Sequence, residues 1–352
     1  MINVVQIGCG KMAKYTMRYV FEKGSKIVGA FDMDPNLIGK DIGQVIEGED
    51  KKVLIEDVSK LEDFLVKNKP DIAIIATMTF LNDISDVLRV CAKNGVNVST
   101  ISEEAFFASN SNPNLFKEID VLAKANNCTI SGVGYQDFAW GNLVAVLAGG
   151  SHKITKIKGK SSYNLEDYGM APANAHGAGF TPEQFEKEIA SIDNISNEER
   201  RRLIENREFS PSFMWNTVGW IADRLGLKIK SINQKCIPLL AEEDLYSETL
   251  GMTIPKGNAT GMSAIVSAEC SEGIRIEAEC IGKVYTAEEF DVNEWSVFGE
   301  PDTTITINHP ATIELTCANA VNRIPDIIKA PAGFISTSTM DIATYKVKSL
   351  DE

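Results

Sequence analysis

The sequence predicts an α/β protein, with a doubly wound parallel sheet in its first part and an α+β domain with a largely antiparallel sheet in its second. Three observations carry this expectation. At 352 residues the chain exceeds what one core ordinarily organises, so two domains are expected. Through the first 150 residues, short β-branched runs alternate with helical patterns, and uniformly apolar strands in that alternation belong to a parallel sheet covered on both faces. From 228 to 309 the strands instead alternate apolar with polar residues, GIRIEAECIGKVY for example, as antiparallel strands with one wet face do.

The elements follow in order. NVVQIG (3–8) reads as a buried strand, and KMAKYTMRYVFEKG as a helix that stops at Gly24. KIVGAFD (26–32) is a second strand. After an irregular stretch, VSKLEDFLVKNK carries the helical period and DIAIIAT (71–77) is a strand. DISDVLRVCAKNG is a helix ending at Gly95, VNVST a strand, LFKEIDVLAKANN a helix and CTISGVG a strand. Near Gly149-Gly150 the character changes. An irregular Gly/Ala/Asn segment (170–179), a charged helical region (183–207) and the helix MWNTVGWIADRLG precede the alternating strands. TIELTCANAVNRIPDIIKA (312–330) then reads as one long apolar helix, with Arg323 its only arginine.

Gly8-Cys9-Gly10-Lys11-Met12-Ala13 fits G-x-G-x-x-G/A between the first strand and the first helix. The first glycine permits the tight turn, the second lets backbone approach a pyrophosphate, and the small Ala13 lets helix and strand pack closely. Helix N-terminal amides then hold the phosphate. The first sheet is therefore expected to be Rossmann-type, with Gly8, Cys9, Gly10, Lys11 and Met12 against a dinucleotide. Asp32 ends the second strand, 22 positions beyond Gly10. A carboxylate there accepts from both ribose hydroxyls of NAD and repels the 2′-phosphate of NADP, although it also suits opening the turn Asp32-Met33-Asp34-Pro35. NAD is expected, with NADP possible given Lys40 nearby. Thr77, Met78 and Thr79 follow the 71–77 strand and Ser102 follows VNVST, at the sheet edge where such folds bind their ligand.

The remaining composition excludes several classes. A net charge of −14 disfavours nucleic-acid or anionic-membrane partners. No apolar run approaches the ~20 residues of a membrane span. No charged-then-apolar leader precedes the first strand, so a cytoplasmic location is expected. Seven scattered cysteines, never spaced C-x-x-C, and three separated histidines point to neither disulfides nor a metal site.

The stretch VSTISEEAFF (98–107) places Glu103 and Glu104 side by side where the nicotinamide end of the cofactor should lie. Adjacent glutamates at a helix start also suit a solvated charge that complements the helix dipole. The frame AKNGVNVSTISEEAFF resembles A-x-x-x-G-K-x-V-x-x-E-K-P of the glucose-fructose and inositol oxidoreductases, with acids in place of their lysine. With the glycine loop, MWNTVGWIADRLGLKI and CANAVNRIPDIIKAPAGF, the chain is more similar to the 2,4-diaminopentanoate dehydrogenases and the native NAD(P)-dependent amine dehydrogenases, over nearly its whole length. Where the former carry an N-P-G turn, this chain has Tyr135-Gln136-Asp137-Phe138-Ala139-Trp140, which inclines the resemblance toward the broader amine dehydrogenases.

The resemblance implies Glu103 as the catalytic carboxylate, with Glu104 the alternative. It also implies a substrate pocket lined by Trp140, Tyr163 and Tyr168, with Tyr135 and Phe138 beside them; core packing is the competing role for such aromatic residues. His176 suits a surface loop or a lid, Trp215 and Trp220 suit core or dimer contacts, and Arg323 suits a structural ion pair or a substrate carboxylate. The expected organisation is a dinucleotide-binding domain of 1–150 with 312–352, and a substrate and dimerisation domain of 151–311 forming a homodimer. The expected reaction is NAD-dependent oxidative deamination of a small amine, or of an amino acid away from its α position, reversible as reductive amination of a ketone or aldehyde with ammonia. The alternatives are a strict 2,4-diaminopentanoate dehydrogenase and a dinucleotide-binding sensor without turnover. A dihydrodipicolinate-reductase-like activity would need paired histidines and a lysine that the sequence lacks.

Overall fold

The computed structural model describes residues 1–347 and 349–351. The chain divides into two compact units, Met1–Leu143 with Ala311–Glu352, and Val144–Pro310. The division expected after residue 150 falls instead at the start of the helix Leu143–Gly149, and the second falls between Pro310 and Ala311.

In the first unit, strands β1 (Asn3–Ile7), β2 (Lys26–Asp32), β3 (Ile55–Asp57), β4 (Ile72–Ile75), β5 (Asn97–Thr100) and β6 (Thr129–Gly132) join a short strand, Gly333–Phe334. They form one sheet in the order Gly333–Phe334, β6, β5, β4, β1, β2, β3. Every pairing is parallel. Alternate residues of β4 feed two different cores: Ile75 packs with Leu88 and Ile119, Ile74 with Met17 and Ile324. This burial on both faces explains why the strand reads as an unbroken apolar run. The sheet order reverses between β4 and β1, which opens a crevice at their carboxyl ends. The chain returns to this unit through Thr312–Asn322 and Ile324–Lys329, two helices where one was expected. Pro325 lacks an N–H and fits only the first turn of a helix, so the run restarts after Arg323.

In the second unit, strands β7 (Lys153–Asn164), β8 (Ile229–Leu240), β9 (Leu245–Ser247), β10 (Met252–Ile254), β11 (Ala259–Cys270), β12 (Arg275–Lys283), β13 (Val292–Glu300) and β14 (Thr303–Asn308) make a two-stranded ladder, β9 with β10, and a six-stranded sheet. The larger sheet runs β14, β13, β7, β12, β11, β8, antiparallel except for β7 with β12. The helix Phe213–Arg224 packs on β11 and β12, with Trp220 fully buried and Trp215 nearly so, as core residues of this unit. Gly159 of β7 accommodates the buried Trp295 ring, since a Cβ there would lie 2.2 Å from it. The segment expected to be irregular contains a helix, Met170–Ala175. No helix among the described residues is long and apolar enough to cross a membrane.

Candidate active site

The glycine loop sits at the crevice between β1 and β4. Gly8 has φ +83°, and a Cβ there would come within 2.5 Å of the Ala76 carbonyl and the Thr77 methyl, so this turn requires glycine. Gly10 is exposed, with no atom within 4 Å of where its Cβ would stand, which leaves its backbone open to a ligand. The helix Lys11–Glu22 begins there with no side-chain cap and no acidic residue in its first turn. Its leading amides are thus available to an anion. Lys11 is exposed, and the Met12 carbonyl accepts from the Cys317 thiol at 3.4 Å. Ala13 is fully buried, the close packing that the third small residue of the motif allows. Cys9 is buried, and burial pushes its thiol up to about 12, so it remains neutral beneath the loop.

Asp32 combines its two expected roles. Its Oδ1 accepts from the backbone of Met33 and Asp34 at 2.7 and 2.8 Å, which opens the turn. Its Oδ2 accepts from the Cys9 N–H at 2.6 Å, which ties the carboxylate to the glycine loop. With Oδ1 taken by two donors and Oδ2 by one, a lone pair of Oδ2 remains for a further donor. The open Gly10, the uncapped helix start and this carboxylate fit a dinucleotide.

Two further chain segments meet in this unit. After β4, Thr77 and Met78 are exposed and Thr79 is half-buried. After β5, the residues Glu103–Phe107 form a 3-10 turn. The two are strapped together: the Ser102 hydroxyl donates to the Met78 carbonyl at 2.6 Å, and the Glu104 N–H donates to the Thr79 carbonyl at 3.2 Å. Ser102, expected to face the cofactor, is only 2% exposed, and its hydroxyl is directed into this strap.

The same geometry separates the two glutamates. Glu104 is 3% exposed; its Oε2 accepts from the Leu81 N–H at 2.7 Å and its Oε1 from the Ser111 hydroxyl at 3.2 Å. It is an internal brace. Glu103 remains partly exposed, yet enough protein surrounds it that burial raises its carboxyl above the usual range, against its own N–H and the Thr79 hydroxyl, which pull it down. A carboxylate so placed can hold or release a proton closer to neutrality than an ordinary surface glutamate.

Behind β6 the residues Gln136–Asn142 form a π-helical turn, a geometry frequent at functional sites and not foreseen from the sequence. It carries Tyr135 and Phe138 at its start and Trp140 within. Tyr135 and Trp140 meet edge to face at 6.2 Å, and both are mostly buried, while Phe138 is partly exposed. The turn is anchored by Asp137, which has no exposed surface and takes Arg323 Nε and Nη2 at 2.7 and 3.1 Å, Asn319 at 3.0 Å and Asn142 at 2.8 Å. Arg323 also donates to Asp326 and to the Asp341 carbonyl. It is a structural ion pair, so a substrate carboxylate does not find a free cation there.

Tyr163 and Tyr168 belong to the second unit, where they lie edge to face at 5.2 Å, with Tyr168 49% exposed. His176 is neither exposed nor idle: Tyr163 Oη lies 2.7 Å from its Nε2, and its Nδ1 is 2.8 Å from the Pro172 carbonyl. A carbonyl only accepts, so Nδ1 carries the proton and Nε2 accepts from the tyrosine. Burial holds the histidine below its usual pKa. Gly282 makes room for the pair, since a Cβ there would fall 2.7–2.8 Å from both rings. Tyr163, Tyr168 and His176 were each singled out in the sequence, but their meeting was not, because β7 itself was not foreseen.

Comparison with known proteins shows the family and the fold. Residues 138–351 match the model of the 2,4-diaminopentanoate dehydrogenase C-terminal domain. A 2,4-diaminopentanoate dehydrogenase of Acetoanaerobium sticklandii is 26% identical over 348 residues, covering 94% of this chain and 91% of that protein. The structure of an amine dehydrogenase from Mycobacterium smegmatis superposes with a TM-score of 0.83 at 34% identity, covering 98% of this chain and 97% of the other. A myo-inositol 2-dehydrogenase from Lactobacillus plantarum shares the fold, at 15% identity and a TM-score of 0.50, covering 87% of this chain and 76% of that one.

Proposed function

The chain belongs to the 2,4-diaminopentanoate dehydrogenase family, and we propose that it oxidatively deaminates a small amine, or an amino acid away from its α position. It is an oxidoreductase of the NAD(P)-dependent amine dehydrogenase kind. Amine, water and NAD give a ketone or aldehyde, ammonia and NADH, and the reverse is reductive amination of the carbonyl compound with ammonia. The observation that carries this reading is the division of labour between the two glutamates: Glu104 is consumed by internal hydrogen bonds, whereas Glu103 stays partly exposed with a raised pKa.

An ammonium cannot release hydride from its carbon, because the iminium product needs the nitrogen lone pair. Glu103 takes the ammonium proton and, once that proton has passed to solvent, stands as a carboxylate near the iminium charge and orients or deprotonates the water that hydrolyses it. The bound nicotinamide supplies hydride acceptance. A lysine in place of Glu103 would repel the cation. Gly8 to Met12 would hold the pyrophosphate and Asp32 the adenosine ribose, so NAD is preferred to NADP. Tyr135, Phe138 and Trp140 would contribute to the substrate pocket. Because Arg323 is taken by Asp137, a plain amine is favoured over one that must carry a carboxylate. The likeness to a 2,4-diaminopentanoate dehydrogenase over 94% of the chain supports that strict activity as the second reading. We further place the protein in the cytoplasm as a homodimer. Its contact would use the charged face of the second unit's sheet, where Glu277 meets Lys156, Lys158 and Arg275.

A screen of short amines and amino acids with NAD and NADP, followed by NADH or NADPH formation, tests the reaction. Tight NADH binding without amine-dependent NADH formation would make the chain a sensor instead. Glu103→Gln keeps size and hydrogen bonding but removes basicity, so kcat should fall about 10²–10⁴-fold while NAD binding survives. A loss smaller than tenfold would refute the assignment.

A further inference from the structure

Strand β1 is apolar from Val4 to Ile7 except at Gln6, whose side chain has no exposed surface. Alternation puts Gln6 on the face of Val4, toward Ala13 and Met17 of the helix Lys11–Glu22. A primary amide buried there costs stability unless hydrogen bonds satisfy it. Gln6 Nε2 donates to the Gly8 carbonyl at 2.9 Å, and the equally buried Thr16 hydroxyl donates to Gln6 Oε1 at 2.9 Å. A carbonyl only accepts, so the amide nitrogen must face Gly8 and the amide oxygen must face Thr16.

The Gly8–Cys9 peptide is thereby held at both ends: its carbonyl by Gln6, and its N–H by Asp32 Oδ2 at 2.6 Å. The N–H of Gly8 donates to the Phe31 carbonyl at 2.8 Å. Gly8, at φ +83°, has the backbone freedom that would let this peptide turn over. A glycine loop binds an anion only while its N–H groups face the ligand and its carbonyl oxygens face away. We infer that Gln6 is a positioning residue for the cofactor: oriented by Thr16, it draws the Gly8 carbonyl into the protein and fixes the glycine loop in the form that accepts a pyrophosphate. The inference rests on the reading of Gly8 to Met12 as the pyrophosphate site. An apolar side chain of similar length would fill the same space, but it would leave that carbonyl without a donor and the peptide held from one side only.

The test is affinity for the reduced cofactor, NADH or NADPH, whichever the wild type holds more tightly, read by fluorescence titration. It compares folded wild type, Gln6→Met, Thr16→Val, Thr16→Ser and Gly10→Val, with unfolding curves for the same proteins. Gln6→Met should raise the Kd about tenfold, as the loss of one net hydrogen bond would. A role confined to stability would lower the unfolding midpoint and leave the Kd of the folded protein unchanged. Gly10 has φ −78° and open space where its Cβ would stand, so Gly10→Val obstructs the ligand and not the fold. A change below about threefold in Gln6→Met, with Gly10→Val binding at least about tenfold more weakly, overturns the inference and leaves the glycine-loop reading standing. If Gly10→Val binds as tightly as wild type, the glycine-loop reading falls and the inference falls with it. Should Gln6→Met not fold, Thr16→Val decides, since it frees the amide without touching the loop. A Kd raised more than about threefold and restored by Thr16→Ser supports the inference, and a smaller change, or one that serine does not restore, overturns it.

Discussion

Replacing Arg323 by methionine removes a cation from the interior while keeping most of the volume. Asp137 would then keep only the amides of Asn142 and Asn319, at 2.8 and 3.0 Å, with no exposed surface to reach water. Removing one partner of a buried pair costs about 3–5 kcal/mol, because the remaining charge is left uncompensated. For a unit of this size each kcal/mol shifts the melting midpoint by about 2–4 °C, so the first unit should melt about 6–20 °C lower. Thermal and urea unfolding followed by circular dichroism would measure it. Adding Asp137→Asn to Arg323→Met neutralises the stranded charge and should recover at least half of the loss. A single substitution costing under about 1 kcal/mol, or a double variant no more stable than Arg323→Met, would show that the pair does not act as argued.

Two other outcomes are expected. Asp32→Ala should lower kcat/KM with NAD and improve NADP relative to it; an unchanged ratio would remove Asp32 from the ribose site. Glu104→Ala leaves the buried Leu81 N–H without its acceptor, so the urea midpoint should fall by an amount equivalent to about 1–3 kcal/mol. Its kcat should drop far less than in Glu103→Gln. A stable but inactive Glu104→Ala would exchange the roles of the two acids.

The parallel sheet was legible because its strands obey one rule along their length: β4 is IAII, buried at every position. The glycine loop was legible because turn, backbone approach and close packing each demand a small residue at fixed spacing. The strand β7, KITKIKGKSSYN, was not. Two of its lysines, Lys156 and Lys158, lie beside Glu277 of the neighbouring strand, and Gly159 is there for the Trp295 ring, so poor strand formers are retained by contacts far along the chain. The break at Arg323 could have been read from Pro325, but the apolar period on both sides hid it. The choice between Glu103 and Glu104 was beyond the sequence. It depends on a hydrogen bond to Leu81, 23 positions upstream, and adjacent acids carry no mark of which one is braced. The Asp137 role was hidden for the same reason, since its partner Arg323 stands on another element.

The insertion of the second unit also fixes an order of assembly. Asp137 and Arg323 are 186 positions apart. A nascent chain that has just finished β6 holds six of the seven strands of its sheet, but neither the cation for Asp137 nor the strand Gly333–Phe334 that covers β6. The later unit is continuous in sequence and has all its strands in hand before the earlier one does. Synthesis therefore holds the first sheet open at one edge, with a carboxylate in an apolar setting, while the whole second unit is translated. A chain halted before residue 312 should be stranded in that state, with the outer edge of β6 open to other chains, and should be found in aggregates or with chaperones rather than as a folded dinucleotide-binding fragment.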